Sequence, residues 1–321
     1  ALPKVEMSSI KKDLYRRDFT INTLAVELNP DGYGKLIDFF GGQRDIKERI
    51  IRVLHNLSFI EDPTRAFRAV RFSERFGFRI SKHTVNLMRS ALKLNLLDRL
   101  SGSRLYDELL LTFDETEPVK ALKRLSTYAL LEVIHPNLQF SEKIEEALSA
   151  VHEIFAWYSL LFTEERPKRE HIYLMALLSE LTEEERGAAL ARLSTPLNVK
   201  KKMISSFRDA EEAIKSLSND DPADIYRGLH GLDIETILYT MALSKDKEKQ
   251  KAISRYLIEL RAVKPLVTGH DLKKLSVRPG PIYAKILSKV LEEKLRGKLP
   301  TKEKELSFVK KMIQKKQGVR R

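Results

Sequence analysis

The feature that most constrains the fold of this chain is a helical periodicity that runs through most of its 321 residues. From Pro63 onward, apolar side chains recur every three or four residues, as they do in helices that bury one face. Proline and glycine interrupt the pattern at intervals typical of helix ends. The spacing predicts helices over residues 63–76, 81–94, 101–114, 117–126, 140–162, 169–181, 183–193, 197–217, 220–229, 233–243, 246–262, 281–296 and 302–315.

The first sixty residues carry a different pattern, which is typical of a small α/β unit. Residues 9–16 are predicted to form a short helix, and residues 23–28 alternate as a strand does. Asn29-Pro-Asp-Gly32 is a turn signal between two strands of a hairpin. The remaining predicted elements are the partner strand over 35–38, a helix from Gly41-Gly42 to Arg49, and a strand over 50–54.

Composition excludes several classes of protein. The chain has no cysteine, so it has no disulfides and no thiolate metal sites, which fits a reducing cytoplasm. No apolar run approaches the ~20 residues of a membrane span, and no signal peptide is visible. We therefore expect a cytoplasmic protein without a membrane partner. The seven histidines lack the spacing of a zinc site, and no Walker, Rossmann or nucleophile-elbow motif occurs.

The net charge of +13 is concentrated at the C-terminal end. Between residues 264 and 321, lysine and arginine exceed aspartate and glutamate by 12. A surplus of this size favours a polyanion as partner, above all nucleic acid, with a solubilising basic tail as the alternative. An apolar stripe at helical spacing indicates that the segment is folded. The candidate RNA-binding residues are Lys273, Lys274, Arg278 and Lys285.

The segment Glu61-Asp-Pro-Thr-Arg-Ala-Phe-Arg-Ala-Val-Arg71 places two carboxylates before a helix that carries a row of arginines. Asp62 suits an N-cap, and Pro63 suits the first helical position. Steps of three, three and four residues keep the arginines at 65, 68, 71 and 75 on one side of the helix, while Phe67 faces a core. This arrangement could hold a base and a triphosphate. The alternative is a capped helix with a solvated basic face.

The pair Asp62 and Arg65 has the chemistry to read a nucleobase. A carboxylate accepts hydrogen bonds and a guanidinium donates them. Cytosine and adenine each present an amine donor beside a ring-nitrogen acceptor, which the pair complements. Uracil and guanine present the reverse arrangement and leave both side chains unpaired, at a cost of roughly 1–3 kcal/mol for each buried group. The pair therefore predicts selection of CTP and ATP without a nucleic-acid template.

Two further blocks precede this helix, Asp13-Leu-Tyr-Arg-Arg-Asp-Phe-Thr-Ile-Asn22 and Leu36-Ile-Asp-Phe-Phe-Gly-Gly-Gln-Arg-Asp45. In their order and spacing, the three blocks resemble motifs B, C and D of the bacterial-type (class II) tRNA nucleotidyltransferase and poly(A) polymerase family. Ser101-Gly-Ser-Arg-Leu-Tyr-Asp-Glu108 is similar to a weaker fifth motif, and residues 266–281 look like the C-terminal segment of many members. The resemblance is specific over about residues 3–110.

The resemblance implies roles for individual residues of the nucleotide site. Arg17, Arg68 and Arg71 look like the arginines that contact the triphosphate, and forked guanidinium groups match phosphate oxygens. For Arg17 the alternative is a plain surface ion pair with Asp18. The implied supporting roles are that Asp18 orients Arg17, that Asn22 contacts the ribose or phosphate, and that Glu61 orients the Asp62–Arg65 pair.

The family's Gly-Gly segment and its metal-binding Asp-x-Asp strand, which precede motif B, do not occur in this chain. We therefore expect no catalytic or metal-binding residue in it and no nucleotidyl transfer by this chain alone. The Mg²⁺ ligands are expected outside it, in an additional N-terminal domain or a complementing chain. Asp38 and Asp45 flank Gly41-Gly42, where a structural role is favoured over a metal site.

The resemblance implies a mainly α protein in which part of a nucleotidyltransferase head with a small α/β fold precedes an elongated, all-helical neck, body and tail. The predicted divisions are 1–57 for the head, 58–117 for the neck with its nucleotide-selecting helices, 118–262 for the body and 263–321 for the basic, tRNA-binding tail. The implied reaction adds C, A or both to the 3′ end of tRNA. The alternatives are a bacterial poly(A) polymerase and a non-catalytic RNA-binding module.

Overall fold

The computed structural model describes residues 9–217 and 220–318. The ends of the predicted head and tail, at residues 1–8 and 319–321, lie outside the described residues. Contacts between Cα atoms divide the chain into two compact units. The first unit comprises Ala1–Ser149 and Arg169–Ile204, and the second comprises Ala150–Lys168 and Ser205–Arg321. The finer division into head, neck, body and tail stays a prediction.

The first unit begins with the small α/β fold that the sequence predicts. An antiparallel hairpin pairs two short strands, with Ala25 opposite Ile37 and Val26 opposite Leu36. A second, parallel pair joins Ile50 and Ile51 to a strand at 79–80 that the sequence did not predict, because two residues are too few to show an alternating pattern. The elements are α1 Ile10–Tyr15, β1 Ala25–Val26, β2 Leu36–Ile37, α2 Gly42–Lys47, β3 Ile50–Ile51, α3 Ser58–Glu61, α4 Arg65–Phe76 and β4 Arg79–Ile80.

Helices make up the remainder of the first unit, as predicted. Their apolar faces form its core, in which Phe67, Leu105, Leu109 and Phe113 are at most 1% exposed. The stacked rings of Phe113 and Tyr173 show that residues on both sides of the 150–168 segment share this core. The helices are α5 Lys82–Lys93, α6 Gly102–Phe113, α7 Pro118–Thr127, α8 Glu142–Ser159, α9 Arg169–Leu177, α10 Glu183–Arg192 and α11 Leu197–Ser216, of which α8 and α11 continue into the second unit.

The second unit is helical in its described residues. One buried cluster is built on Ile225, Leu229, Ile237 and Ile253, and another on Leu272, Val290 and Val309. The further helices are α12 Pro222–Leu229, α13 Ile234–Leu243, α14 Lys247–Arg255, α15 Gly269–Lys274, α16 Pro281–Leu295 and α17 Lys302–Gly318. The predicted helix over 246–262 therefore has two parts in the structure. The α-helix α14 ends at Arg255, and a π-helical turn follows over Tyr256–Leu260.

A buried carboxylate holds the C-terminal helices together. Glu305 is 0% exposed, and its Oε2 accepts hydrogen bonds from the backbone N–H groups of Leu266 and Val267 at 2.7 and 2.8 Å. Its Oε1 accepts from Lys294 Nζ at 2.8 Å. The charge is therefore paired and hydrogen-bonded, which is what a buried carboxylate requires.

The thirteen predicted helices are all present, with ends that differ by a few residues at most positions. The largest differences are at 246–262, whose α-helix ends at Arg255, and at 169–181, which ends at Leu177. Over residues 9–217 and 220–318, no helix has both the length and the apolar composition that a bilayer span requires.

Candidate nucleotide-binding site

Asp62 lies at the junction of α3 and α4, in extended backbone conformation. Its Oδ1 accepts hydrogen bonds from Thr64 N at 3.1 Å and from Thr64 Oγ1 at 2.6 Å. These bonds close the turn before α4, whose N-cap is Thr64 without a side-chain cap bond, so the prediction of Asp62 as the N-cap is wrong. The regular helix begins at Arg65 rather than Pro63, because the first turn is closed by tighter bonds, including Arg65 N to Asp62 O at 3.1 Å.

The second oxygen of Asp62 binds an arginine that the sequence reasoning did not consider. Arg104 in α6 donates from Nη2 to Asp62 Oδ2 at 2.8 Å and to Thr64 Oγ1 at 3.3 Å. Burial alone would raise the pKa of Asp62, but the hydrogen bonds from Thr64 and Arg104 outweigh it and hold the pKa below its ordinary value. Asp62 is therefore a fixed, ionised acceptor at the start of α4.

Arg65 is nearly buried at 7% exposure, and backbone oxygens hold its guanidinium. Nη2 donates to Arg16 O at 2.7 Å, and Nη1 donates to Ser58 O at 3.3 Å. Glu61 Oε2 lies 3.6 Å from Nη1 of Arg65 and 3.3 Å from Nε2 of His55. Glu61 thus lies beside Arg65 and His55 rather than beside Asp62, and its orienting role stays a prediction.

The other arginines of α4 form alternating ion pairs with carboxylates from other elements. Arg68 pairs with Asp18 at 2.5 Å, and its Nη1 lies 3.5 Å from Glu108 Oε1. Arg71 lies between Glu108 at 3.2 Å and Glu115 at 3.4 Å. Arg75 completes the row with Glu115 at 2.6 Å. We call this set, Asp18, Arg68, Glu108, Arg71, Glu115 and Arg75, the arginine–carboxylate network.

The network contradicts the alternative of a solvated basic face. The Arg71 side chain is 4% exposed, and those of Asp18, Glu108 and Glu115 are 8–9% exposed. The Phe72 ring supports the arginines from one side, with the guanidinium carbons of Arg68, Arg71 and Arg75 4.9–5.7 Å from its centroid. Three positive and three negative charges therefore neutralise one another around a shared aromatic ring.

Asp18 does not orient Arg17, contrary to the expectation from the sequence. Its Oδ1 accepts from Phe19 N at 2.9 Å and Asn22 Nδ2 at 2.8 Å, while its Oδ2 accepts from Arg68. Arg17 is exposed, and no hydrogen bond or ion pair joins its side chain to another side chain in the described part of the chain. The surface ion pair with Asp18 is likewise absent there, because Arg68 occupies that carboxylate.

The predicted triphosphate ligands thus lie in different environments. Arg17 is open to solvent, and the Arg68 side chain is 31% exposed. Burial alone would lower the pKa of Arg68, but Asp18 and Glu108 outweigh it and raise the pKa, so this guanidinium stays charged. Arg71 reaches a triphosphate only if its side chain leaves Glu108 and Glu115. Its contact with a nucleotide stays a prediction.

The carboxylates around Gly41-Gly42 have structural roles, as favoured from the sequence. Asp38 accepts from the backbone N–H groups of Gly42 and Gln43 at 2.8 and 3.0 Å. Asp45 is 0% exposed and accepts from Thr20 Oγ1 at 2.7 Å and Arg52 Nε at 2.9 Å. A Cβ on Gly42 would lie 2.5 Å from Thr20 O, so only glycine permits this approach.

No group of three His, Asp or Glu side chains with a geometry fit for a metal ion occurs within residues 9–217 and 220–318. The carboxylates near the nucleotide site are occupied by arginines or backbone N–H groups. The side chains of the described residues therefore do not fit Mg²⁺.

The four candidate RNA-binding residues lie in the second unit, around α15 and the start of α16. Lys273, Lys274, Arg278 and Lys285 are all exposed, and no ion pair engages them among the described residues. Other cations of the same segment are neutralised, as in the pairs Lys294–Glu305, Lys298–Glu293 and Lys302–Asp271. The chosen residues thus carry charge that is free to meet a polyanion.

Sequence reasoning missed the partners of the site residues, namely Arg104, Glu108 and Glu115. A signal for two of them exists, since Glu108 and Glu115 are seven residues apart, as are Arg68 and Arg75. Matching seven-residue steps of opposite charge suggest facing stripes on packed helices. Arg104 lies in the block Ser101–Glu108 that resembles the fifth motif, but that resemblance does not indicate Asp62 as its partner.

Two family profiles match the chain. The Poly A polymerase head domain matches residues 2–52, and a profile described as the probable RNA and SrmB-binding site of polymerase A matches residues 77–141. Together they confirm the resemblance inferred from the motifs.

Related proteins and solved structures match over nearly the whole chain. An A-adding tRNA nucleotidyltransferase of Geobacter sulfurreducens is 45% identical over 95% of this chain, which spans only 36% of that protein's length. The A-adding tRNA nucleotidyltransferase of Halalkalibacterium halodurans is 30% identical over 99% of this chain and 72% of its own. The structure of the Thermotoga maritima CCA-adding enzyme complexed with tRNA is 34% identical, with a TM-score of 0.81 over 95% of this chain and 74% of that one.

These matches extend through both compact units, including the segment where the sequence motifs are faint. The chain belongs to the family of A-adding and CCA-adding tRNA nucleotidyltransferases.

Proposed function

We propose that this chain supplies the nucleotide-selecting and tRNA-binding parts of an enzyme that adds C, A or both to the 3′ end of tRNA. The observation that carries the proposal is the pair at the start of α4. Asp62 is held there as an ionised acceptor, and Arg65 is fixed by backbone oxygens three residues later. A donor and an acceptor in fixed positions are what base selection without a template requires.

Selection follows from the hydrogen bonds that each base offers. The exocyclic amine of cytosine or adenine donates to Asp62, and the neighbouring ring nitrogen accepts from an N–H group of Arg65. Uracil and guanine direct a carbonyl at the carboxylate and an N–H at the guanidinium, so both contacts become repulsive or unpaired. Since an unmatched buried polar group costs about 1–3 kcal/mol, each mismatch weakens binding by roughly 5- to 150-fold.

Arg17 and Arg68 bind the triphosphate in this proposal. The Arg17 guanidinium is exposed and has no side-chain partner in the described residues, and Arg68 is partly exposed beside Asp18 and Asn22. Asn22, which donates to the same carboxylate as Arg68, contacts the ribose or a phosphate in this proposal. Arg71 is buried between Glu108 and Glu115 and stabilises the arginine row of α4 from its buried side.

The exposed cations of the second unit bind tRNA phosphates. Lys273, Lys274, Arg278 and Lys285 meet the polyanion through charge and shape rather than base edges. We place the reaction in the cytoplasm, where Mg²⁺ held by ligands outside the described residues would supply the charge stabilisation that nucleotidyl transfer needs. The metal ligands are not among the described residues, and the roles proposed for this chain are those of binding and orientation.

A poly(A) polymerase is the second candidate, because both family profiles carry that enzyme's name. The two activities differ in the length of the product. In primer extension with the complete enzyme, addition that stops after one to three nucleotides on tRNA supports the proposal. A long oligo(A) product would replace it with the polymerase.

The test of base selection is a binding titration of the chain with ATP, CTP, GTP and UTP. The unsubstituted chain should prefer ATP, CTP or both over GTP and UTP. Asp62→Ala and Arg65→Ala should each reduce that preference by at least about fivefold, which corresponds to the loss of one hydrogen-bond match. Asp98→Ala and Arg99→Ala are matched controls, because both residues are exposed side chains of the same unit. Unchanged preference in the Asp62 and Arg65 variants would reject the assignment.

A further inference from the structure

The helix that carries two of the candidate RNA-binding residues is too short to fix its own orientation. α15 spans only six residues, Gly269–Lys274, and Lys273 and Lys274 lie in its last turn. Isolated helices shorter than about 12 residues are marginal in water, so the position of α15 depends on contacts with other elements. Leu272, which is 0% exposed, anchors it to the core. The polar contacts that fix its direction come from α17.

α17 first holds the chain just before α15. Glu305 Oε2 accepts hydrogen bonds from the consecutive backbone N–H groups of Leu266 and Val267, at 2.7 and 2.8 Å. The carboxylate is itself fixed, because it is 0% exposed and its other oxygen accepts from Lys294 Nζ at 2.8 Å. Bonds to two consecutive N–H groups set both the position and the direction of the peptide. The chain therefore enters α15 from a fixed point.

A second contact from α17 reaches α15 itself. Lys302 Nζ lies 3.0 Å from Asp271 Oδ2, and Lys302 is on the same side of α17 as Glu305, three residues away. The same oxygen of Asp271 accepts from the backbone N–H and the hydroxyl group of Thr268, at 2.9 Å each. These bonds, those of Thr268 first, lower the pKa of Asp271 to about 2. The carboxylate is therefore ionised at neutral pH and bound to both helices.

We propose that α17 is a positioning element for tRNA binding, in which Glu305 and Lys302 hold α15 so that Lys273 and Lys274 are oriented for phosphates before the RNA arrives. The inference rests on the proposed function and extends it to two residues that do not themselves touch the RNA. Ordering a segment at the moment of binding costs free energy, and a segment that is already ordered avoids this cost. The two contacts of α17 therefore raise the affinity without adding a phosphate contact.

Positioning, direct contact and overall charge predict different results. Loss of a phosphate contact lowers the slope of log affinity against log salt by about 1 unit. Loss of positioning weakens binding at every salt concentration and leaves the slope unchanged, because the same lysines still meet the phosphates. If only overall charge mattered, removal of the negative charge of Asp271 would strengthen binding to a polyanion, whereas loss of positioning weakens it.

The experiment measures tRNA binding by the full chain over a series of salt concentrations, for Lys302→Ala, Asp271→Asn and the control Lys304→Ala. Lys304 is an exposed cation of the same helix, without an ion pair of its side chain in the described residues. We expect Lys302→Ala to bind about three- to tenfold more weakly than Lys304→Ala, and Asp271→Asn to bind more weakly than the unsubstituted chain by a similar factor. Glu305 is left unchanged, because removal of a buried, paired carboxylate destabilises the fold strongly.

Two further measurements distinguish positioning from a purely structural role. The unfolding midpoint of Lys302→Ala should match that of Lys304→Ala, since solvent screens a half-exposed ion pair and it adds little stability. Lys302→Arg should restore the affinity, because a guanidinium also donates to the carboxylate of Asp271.

The outcomes separate this inference from the proposed function. If the unsubstituted chain does not bind tRNA, the proposed tRNA binding fails and the role of α17 fails with it. If the chain binds tRNA and Lys302→Ala binds as tightly as Lys304→Ala, the role of α17 is overturned while the proposed function stands. Tighter binding by Asp271→Asn, or a slope lowered by about 1 unit in Lys302→Ala but not in Lys304→Ala, would also overturn it, because overall charge or a direct phosphate contact would then explain the data.

Discussion

The arginines of α4 and the cations around α15 and α16 are the same kind of residue in opposite environments. In the first unit, Arg71 is 4% exposed and lies between two carboxylates. In the second unit, Lys273, Lys274, Arg278 and Lys285 are exposed, without an ion pair in the described residues. The first set is charge-balanced, and the second is not.

The difference shows that a row of positive residues is not by itself a phosphate-binding surface. In the first unit, the carboxylates hold each guanidinium in one position and orientation, so the arginine row is preorganised. In the second unit, flexible side chains present net charge to solvent, which suits a large polyanion held at many points. The first arrangement favours discrimination, and the second favours affinity.

The largest expected effect comes from breaking the balanced set at Glu108. Glu108→Ala leaves Arg71 with one carboxylate partner fewer in a nearly solvent-free position. Because removing one member of a buried ion pair leaves an uncompensated charge, we expect a loss of about 3–5 kcal/mol in the free energy of unfolding, measured by urea denaturation. Glu117→Ala is the control, since its pair with Lys120 is exposed and should contribute less than about 1 kcal/mol. Similar losses in both variants would show that burial does not distinguish the two pairs.

An intermediate effect is expected from the unbalanced set. Replacing Lys273 and Lys274 with alanine should weaken tRNA binding and lower the slope of log affinity against log salt by about 1–2 units, because each phosphate contact releases roughly one counterion. ATP binding should not change. The matched control replaces Lys289 and Lys298, which pair with Glu292 and Glu293 and change the net charge equally. Equal changes of slope in the two double variants would indicate that the salt dependence of tRNA binding reflects the overall charge of the chain rather than contacts of Lys273 and Lys274 with phosphates.

The smallest expected effect concerns Asp271, a paired carboxylate of the second unit, and it tests how paired charges in that unit differ from the unpaired ones. Hydrogen bonds from Thr268, followed by that of Lys302, lower the pKa of Asp271 to about 2 from 3.8. As the pH falls, Asp271 is therefore protonated in the unfolded chain before it is protonated in the folded chain. The stability that the ionised Asp271 contributes is complete above about pH 4 and is lost toward pH 2.

Asp271→Asn removes this titration. The variant should be less stable than the unsubstituted chain at pH 7, and the two should approach each other in urea midpoint between pH 4 and pH 2. Midpoints that differ by the same amount at every pH would contradict the shifted titration of Asp271.

Much of the candidate site could be predicted from sequence because its signals are local. The polar turn at Asp62, the arginine row of α4 and the tight turn at Gly41-Gly42 each depend on residues that are near one another in the chain. The four cations chosen in the tail are exposed, and their contact with RNA stays a prediction. The error at Asp18 arose because its neighbour Arg17 was taken as its partner, whereas Arg68 lies fifty positions away in the chain.

The sequence by itself determined where helices form, which faces they bury and that donors and acceptors stand together at the start of α4, because helical periodicity and capping act over a few residues. Tertiary structure decided which carboxylate meets which arginine. The bonds from Arg68 to Asp18 and Glu108, and from Arg104 to Asp62, join residues 40 to 50 positions apart. Such partners are chosen by the packing of one helix on another, since a long charged side chain can reach any acceptor that the packed backbone brings within a few ångströms.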